Sequence, residues 1–323
     1  MFGQVNNSDC LLLSYICLMK PISFIIITYN RPHDTLELLQ NIGSLNRATE
    51  LLQDVVVVNN HSETDYTKVK KYIEGNRHIP FVYIEAPYNL GVTKGRNYAL
   101  DFAQGSICIF LDDDAILGNA DALENVLKSF VAKGMDDREV AIVSFKVLYY
   151  ETHKMQVNAL PHKQFDQYKD KHSFFTYYFA GGAHAIKRNV LNEVGKLPED
   201  FFYGMEEYDL SYRIIDKGYC IKYDDSITML HKESPLGRKP KTDKLRMMWV
   251  NKCKVAYRYL PAYYFYSTAI MWGMQYLKET KFDLSGFVKG GKEVLYLSSS
   301  EKKKKIGKKA LAYLKKVEAR LWY

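Results

Sequence analysis

One alternation constrains this chain more than anything else in it. The apolar runs ISFIIIT (22–28), DVVVVN (54–59), PFVYIEA (80–86) and SICIFLD (106–112) take turns with segments of helical spacing. HDTLELLQNIGSL carries Leu36, Leu39 and Ile42 on one helical face, a polar helix is predicted near residues 65–74, and GVTKGRNYALDFAQG reads as a helix closed by Gly105. Continuous β-branched runs mark strands buried on both faces, and strands alternating with helices imply an α/β fold with a mostly parallel, doubly wound central sheet. At 323 residues, with 47% apolar side chains, the chain suffices for such a domain with appendages.

The fourth run ends on three consecutive carboxylates, Asp112, Asp113 and Asp114. Like charges at the end of a buried strand are unfavourable unless something neutralises them. Their predicted place, just past the carboxyl end of a strand, is where open α/β sheets bind ligands. A divalent cation carrying a phosphate would suit such a cluster, with Mg2+ or Mn2+ the hard cations of choice.

Other polar segments follow the other strands: TYNRP after the first, NNHSETD after the second and NLGVTKGRN after the third. Further on come FFYGMEEYDLSYRIIDKGY and ITMLH, which ends in His231. In order and spacing over roughly residues 20–235, these motifs resemble the family 2 glycosyltransferases, inverting enzymes of the Rossmann-like GT-A fold. The resemblance implies transfer of one sugar from a nucleotide-diphosphate sugar, UDP- or dTDP-linked, to a hydroxyl. It implies Asp114 as principal metal ligand, Asp112 on the metal or the ribose, and His231 as third ligand. Glu207 aligns with the general base, with Glu206 and Asp209 as neighbouring candidates. Thr28, Asn30 and Arg31 would line the base pocket with Asn59 and Asn60. Asn59 stands where the family commonly has Asp, which leaves the choice of base open. Arg96 would meet the diphosphate or brace the aspartates, and Asp113 would belong to the nucleotide side. AGGAHAIKR resembles the small-residue segment that admits the donor sugar, with Gly181 and Gly182 against it and Tyr178 and His184 in reach of its hydroxyls.

The implied domain runs over residues 19–235, followed by a helical acceptor region (236–300) and a basic tail (301–323). Residues 1–18 read as an extension or a mis-called start ahead of Met19. The five cysteines form no C-x-x-C pair, which argues against a zinc cluster and for a reducing compartment. In residues 301–320, nine Lys/Arg face two Glu, so this tail carries seven of the chain's eight net positive charges. Its stripe of Ala310, Leu311, Leu314, Val317 and Leu321 has the profile of an interfacial helix on an anionic membrane. The uncharged stretch 259–277 is long enough to consider as a span, but its tyrosines and Pro261 favour a buried or interfacial helix. No nucleic-acid motif accompanies the charge.

These readings predict a non-processive transferase, the Q-x-x-R-W motif of processive synthases being absent, peripheral on the inner face of the cell membrane. The acceptor would be a glycan or lipid-linked glycan, and the C-terminal helices resemble rhamnosyltransferase-like members. Two other classes compete: a metal-dependent phosphohydrolase and a non-catalytic membrane-binding protein on a degenerate transferase fold.

Overall fold

The computed structural model describes residues 20–201, 204–233 and 241–322. The expectation for residues 1–18 lies outside them. The first half is built as the alternation predicts: β1 (Ile22–Thr28), α1 (Pro32–Gly43), α2 (Ala48–Leu51), β2 (Leu52–Asn59), α3 (Thr67–Gly75), β3 (Phe81–Glu85), α4 (Gly91–Leu100) and β4 (Ile107–Asp112). β5 (Ala115–Leu117), α5 (Ala122–Val131), β6 (Val140–Tyr149), α6 (Phe165–Tyr168), β7 (Ser173–Thr176), β8 (Ala183–Lys187), α7 (Arg188–Val194), α8 (Glu206–Asp216) and β9 (Cys220–His231) complete the sheet layer. Four helices follow: α9 (Lys241–Tyr259), α10 (Ala262–Glu279), α11 (Leu284–Ser300) and α12 (Lys308–Lys316).

The strands form one mixed sheet in the order β3-β2-β1-β4-β8-β6-β9-β5, with β7 added beside β9. β1, β2, β3 and β4 are parallel, whereas β8 runs antiparallel between β4 and β6. Residues of β1 and β4 such as Phe24, Ile26, Ile109 and Phe110 are almost wholly buried, as continuous apolar runs between two helical layers must be. Register then fixes the loops. Thr28 lies level with Asn59 and Ile27 with Asp112, so three strands deliver their carboxyl ends to one edge. The reversed β8 brings Gly181 and Gly182 to that edge too, because Leu111 pairs with Ala183.

One local expectation changes. The helix predicted to close at Gly105 ends at Leu100. Gly105 instead lies against β1, where an added Cβ would fall 2.7 Å from the Pro21 carbonyl oxygen and the Ser23 nitrogen. The stretch 259–277 is interrupted at Pro261, and among the described residues no helix is long and apolar enough to cross a membrane.

The tail differs most. Its apolar stripe does not face outward: Ala310, Leu314, Val317 and Leu321 join the main core, and α12 packs on α8. The Tyr313 hydroxyl donates to the Thr176 carbonyl at 2.8 Å and so ties α12 to β7. An amphipathic helix needs an apolar partner, and here the body of the protein supplies it. α9, α10 and α11 share a separate small core around Trp249, Cys253 and Tyr276.

Candidate active site

The triple aspartate divides its work. Asp113 points back into the protein: it accepts from Arg31 Nη1 at 2.8 Å and is 5% exposed. Burial pushes its carboxyl up to about 6, against the pull of Arg31. Asp112 and Asp114 lie on either side of it, and β5 returns along β9 so that Ala115 pairs with His231. One ligand atom each from Asp112, Asp114 and His231 therefore falls within 4.8 Å of the others. His231 Nε2 stands 3.3 Å from Asp114 Oδ1, while its Nδ1 lies 3.2 Å from Gln156 Oε1, a contact that fixes the ring. Burial disfavours the imidazolium, but the hydrogen bond to Asp114 and the charges of Asp112 and Asp114 outweigh it and raise the His231 pKa. Two carboxylates and an imidazole at this spacing fit a hard divalent cation.

Arg96 is 4% exposed and donates from Nη2 to Asp112 Oδ1 at 2.7 Å, so it braces the aspartates. Gly182 backs directly onto Asp112, and a Cβ there would overlap its carboxylate. Gly181 does the same for Glu207, whose Oε1 occupies the space a Cβ would take. The small-residue segment thus lets two carboxylates approach the backbone. Asp112, Arg96, Gly181, Gly182, Glu206 and Glu207 all line one cleft of about 760 Å³.

Glu206 and Glu207 open α8 behind Met205, which adopts the left-handed conformation at φ 77°. Desolvation, and then the charge of Glu206, hold the Glu207 pKa well above the ordinary carboxylate range, and Glu206 is raised by burial too. Glu206 Oε2 is buried without a hydrogen-bond partner among the described residues. A carboxylate kept basic in a cleft suits proton abstraction.

Other predicted site residues serve as braces around this cleft. Asp209 accepts from Arg213 Nε and Arg258 Nη1, both at 2.9 Å, and from the Tyr259 hydroxyl at 2.8 Å. With both oxygens engaged and outside the cleft, it is not placed to act as a base. His184, expected near the sugar, is 1% exposed, stacks on Phe110 at 4.7 Å and contacts the Ala180 carbonyl through Nδ1. Burial and then Arg96 push its pKa down to about 3, so it is a neutral core residue beneath the glycines. Thr28 lies 2.6 Å from the Tyr66 hydroxyl. Asn30 Oδ1 accepts from Glu63 N, and Asn59 Oδ1 from Ser62 N. Asn60 Oδ1 accepts from Leu90 N. These bonds fasten the strand-end loops to one another. Tyr178, in contrast, lines the cleft and stacks on Tyr208 at 4.7 Å.

Sequence reasoning missed Lys252, Trp272 and Arg320, which line the same cleft from the C-terminal region. Lys252 sits inside WVNKCKVAYRYLP, a stretch read for its resemblance to rhamnosyltransferase-like helices and not for a site residue, and Arg320 is one of many tail charges.

Sequence relatives include an uncharacterized protein of Haemophilus influenzae, 30% identical over 180 residues, spanning 55% of this chain and 92% of the relative. YwdF of Bacillus subtilis, described as an uncharacterized glycosyltransferase, is 25% identical over 222 residues, 69% of this chain and 78% of its own. Among solved structures, the mannosyltransferase PcManGT from Pyrobaculum calidifontis, in complex with GDP-Man and Mn2+, has a TM-score of 0.55 at 20% identity, covering 92% of this chain and 79% of that one. S. aureus TarS 1–349 in complex with UDP-GlcNAc has a TM-score of 0.59 at 15% identity, with 85% and 81% covered. These two likenesses concern the fold alone. The model of glycosyl transferase family 2 matches residues 23–195, from β1 past the end of α7. That span is more than half of the chain and includes the aspartates and both glycines, and the protein belongs to glycosyl transferase family 2.

Proposed function

We propose that the chain moves one sugar, a hexose or rhamnose, from a UDP- or dTDP-linked donor to a hydroxyl of a glycan or lipid-linked acceptor, with inversion. The observation that carries this reading is the meeting of two carboxylate sets across Gly181 and Gly182. Asp112 backs one glycine, Glu207 the other. Asp112, Asp114 and His231 would hold Mn2+ or Mg2+, which when bound supplies positive charge for the departing diphosphate. Arg96 holds Asp112 in place for that task. Glu207 takes the proton from the acceptor hydroxyl while its oxygen attacks the anomeric carbon and the bond to the diphosphate breaks. Attack from the face opposite the leaving group inverts the configuration. The raised pKa of Glu207 makes it a stronger proton acceptor than an ordinary carboxylate.

The similar structures lend support, one solved with GDP-Man and Mn2+ and the other with UDP-GlcNAc. The same reading puts the enzyme on the inner face of the membrane. Lys302, Lys303, Lys304 and Lys305 are exposed, and α10 presents Tyr266, Ile270 and Met274 outward. Exposed lysines and exposed apolar side chains of this kind both suit anionic lipid.

The test is a thermal-shift panel of nucleotide-diphosphate sugars with Mn2+, since ligands of the folded state raise its apparent stability. NMR of the product of the stabilising donor then reads the anomeric configuration. Retention of configuration would refute the single displacement. Hydrolysis of simple phosphate esters with no response to any sugar nucleotide would favour the phosphohydrolase.

A further inference from the structure

His231 reaches the aspartates from one edge of β6, and Gln156 comes from the other. After Tyr149 the chain turns back along β6: the Tyr149 N–H donates to the Lys154 carbonyl at 2.8 Å and the Gln156 N–H to the Val147 carbonyl at 3.0 Å. On the opposite edge β9 runs beside β6, with Tyr149 level with His231 and the Tyr150 N–H donating to the His231 carbonyl at 3.0 Å. Gln156 is 7% exposed, and its Oε1 lies 3.2 Å from His231 Nδ1. Its amide nitrogen is buried without a hydrogen-bond partner among the described residues.

A buried glutamine kept for stability bonds at both ends of its amide, because each buried polar atom left unpaired costs about 1–3 kcal/mol. Gln156 bonds only at the end that meets His231. Imidazole chemistry says what that end does. The ring offers a lone pair at Nε2 while its proton sits on Nδ1, and the hydrogen bond made by one ring nitrogen sets the state of the other. The Gln156 carbonyl oxygen is an acceptor for a proton on Nδ1, while Nε2 faces Asp114 at 3.3 Å. We infer that Gln156 is a positioning residue of the cation site: it holds the Nδ1 proton and the ring plane, and so directs the Nε2 lone pair of His231 into the space shared with Asp112 and Asp114. The inference rests on the reading of Asp112, Asp114 and His231 as metal ligands, and adds the residue on which the third ligand depends.

The test is calorimetric titration of Mn2+ into the full chain, in the presence of the nucleoside diphosphate of the donor that the thermal-shift panel selects. Gln156→Met is close to the parent in shape and has no acceptor for Nδ1. It should bind Mn2+ roughly 10–100-fold more weakly, the usual effect of losing a group that orients a ligating histidine. Its melting temperature without metal should stay near that of the parent, because the unpaired amide nitrogen leaves together with the acceptor. Gln156→Glu keeps an oxygen for Nδ1 and should keep the Mn2+ affinity. On a His231→Ala background, Gln156→Met should add no further loss, since a residue that acts through His231 has nothing left to act on. Parent-like Mn2+ affinity in Gln156→Met would overturn the inference, as would an equal loss on the His231→Ala background or an equal loss in Gln156→Glu. A Gln156→Met protein that melts far below the parent or does not fold would make the residue a structural brace, and would overturn it too. A parent whose Mn2+ affinity is unchanged by His231→Ala would instead sink the metal-ligand reading beneath the inference, so the two failures are told apart.

Discussion

Leu314 separates two views of the C-terminal tail. A tail that lies on a membrane contributes nothing to the folded body in solution, whereas the structure leaves Leu314 with 0% exposure in the main core. Leu314→Ala removes three buried carbons, about 2.4 kcal/mol by transfer alone. Its neighbours Ala310, Tyr313 and Val317 are anchored on the body, so the space collapses only in part and a cavity cost adds to this. The total expected is about 2–5 kcal/mol, a large fraction of a typical stability of about 5–15 kcal/mol. Thermal unfolding without lipid reads it as a midpoint lower by several degrees. Tyr313→Phe, which loses the hydrogen bond donated to the Thr176 carbonyl and the one accepted from Ile221 N, should cost about 1–3 kcal/mol. Lys315→Ala, at an exposed position of the same helix, serves as control. If Leu314→Ala melts with the parent and the control, α12 is not docked in solution and the core assignment of the tail is wrong.

Glu207→Gln should keep donor affinity and lose roughly two orders of magnitude or more in kcat, with calorimetry and steady-state rates as the readouts; an active variant moves the base to Glu206. Asp114→Asn should abolish metal-dependent nucleotide binding. Asp113→Asn should chiefly lower stability, by about 1–3 kcal/mol, through its lost partner Arg31. Equal losses of nucleotide affinity in the two variants would contradict that division. The raised pKa of Glu207 means that the folded state holds a proton the unfolded state has given up. Its contribution to stability is therefore full below the ordinary glutamate pKa of about 4.3 and is lost as pH rises through the raised folded value. Melting temperatures of parent and Glu207→Gln across pH 4–9 should converge at the acid end and separate in favour of the variant at the alkaline end; parallel curves would exclude a raised pKa.

The strands and the aspartates at their ends were legible because their signals are local. ISFIIIT coincides with β1, and a strand run followed by Asp112 and Asp114 leaves few places for those carboxylates to go. Which aspartate stays out of the cluster with His231 was not legible: Asp113 is engaged by Arg31 and the Tyr29 backbone N–H, some eighty residues earlier. His184 looked like a contact of the donor sugar because it follows the two glycines, but alternation along β8 sends it to the face it shares with Phe110. The same limit hid Arg320 and Lys252, whose roles depend on long-range packing of helices rather than on neighbours in sequence. The tail misled for a related reason. An apolar stripe states that a partner exists and leaves unsaid whether that partner is lipid or the rest of the chain.

Asp209 has a mechanical consequence. It sits two positions after Glu207 on α8 and is bolted by Arg258 and Tyr259 to the end of α9, the helix that also carries Lys252. These bonds act as a strut between two levers. A tilt of α9 at one end of the cleft is carried, through one carboxylate, to the first turn of the helix that bears Glu207. Stiffness of this kind fixes the distance between the carboxylate and Lys252, and with it the reach of any molecule that spans both.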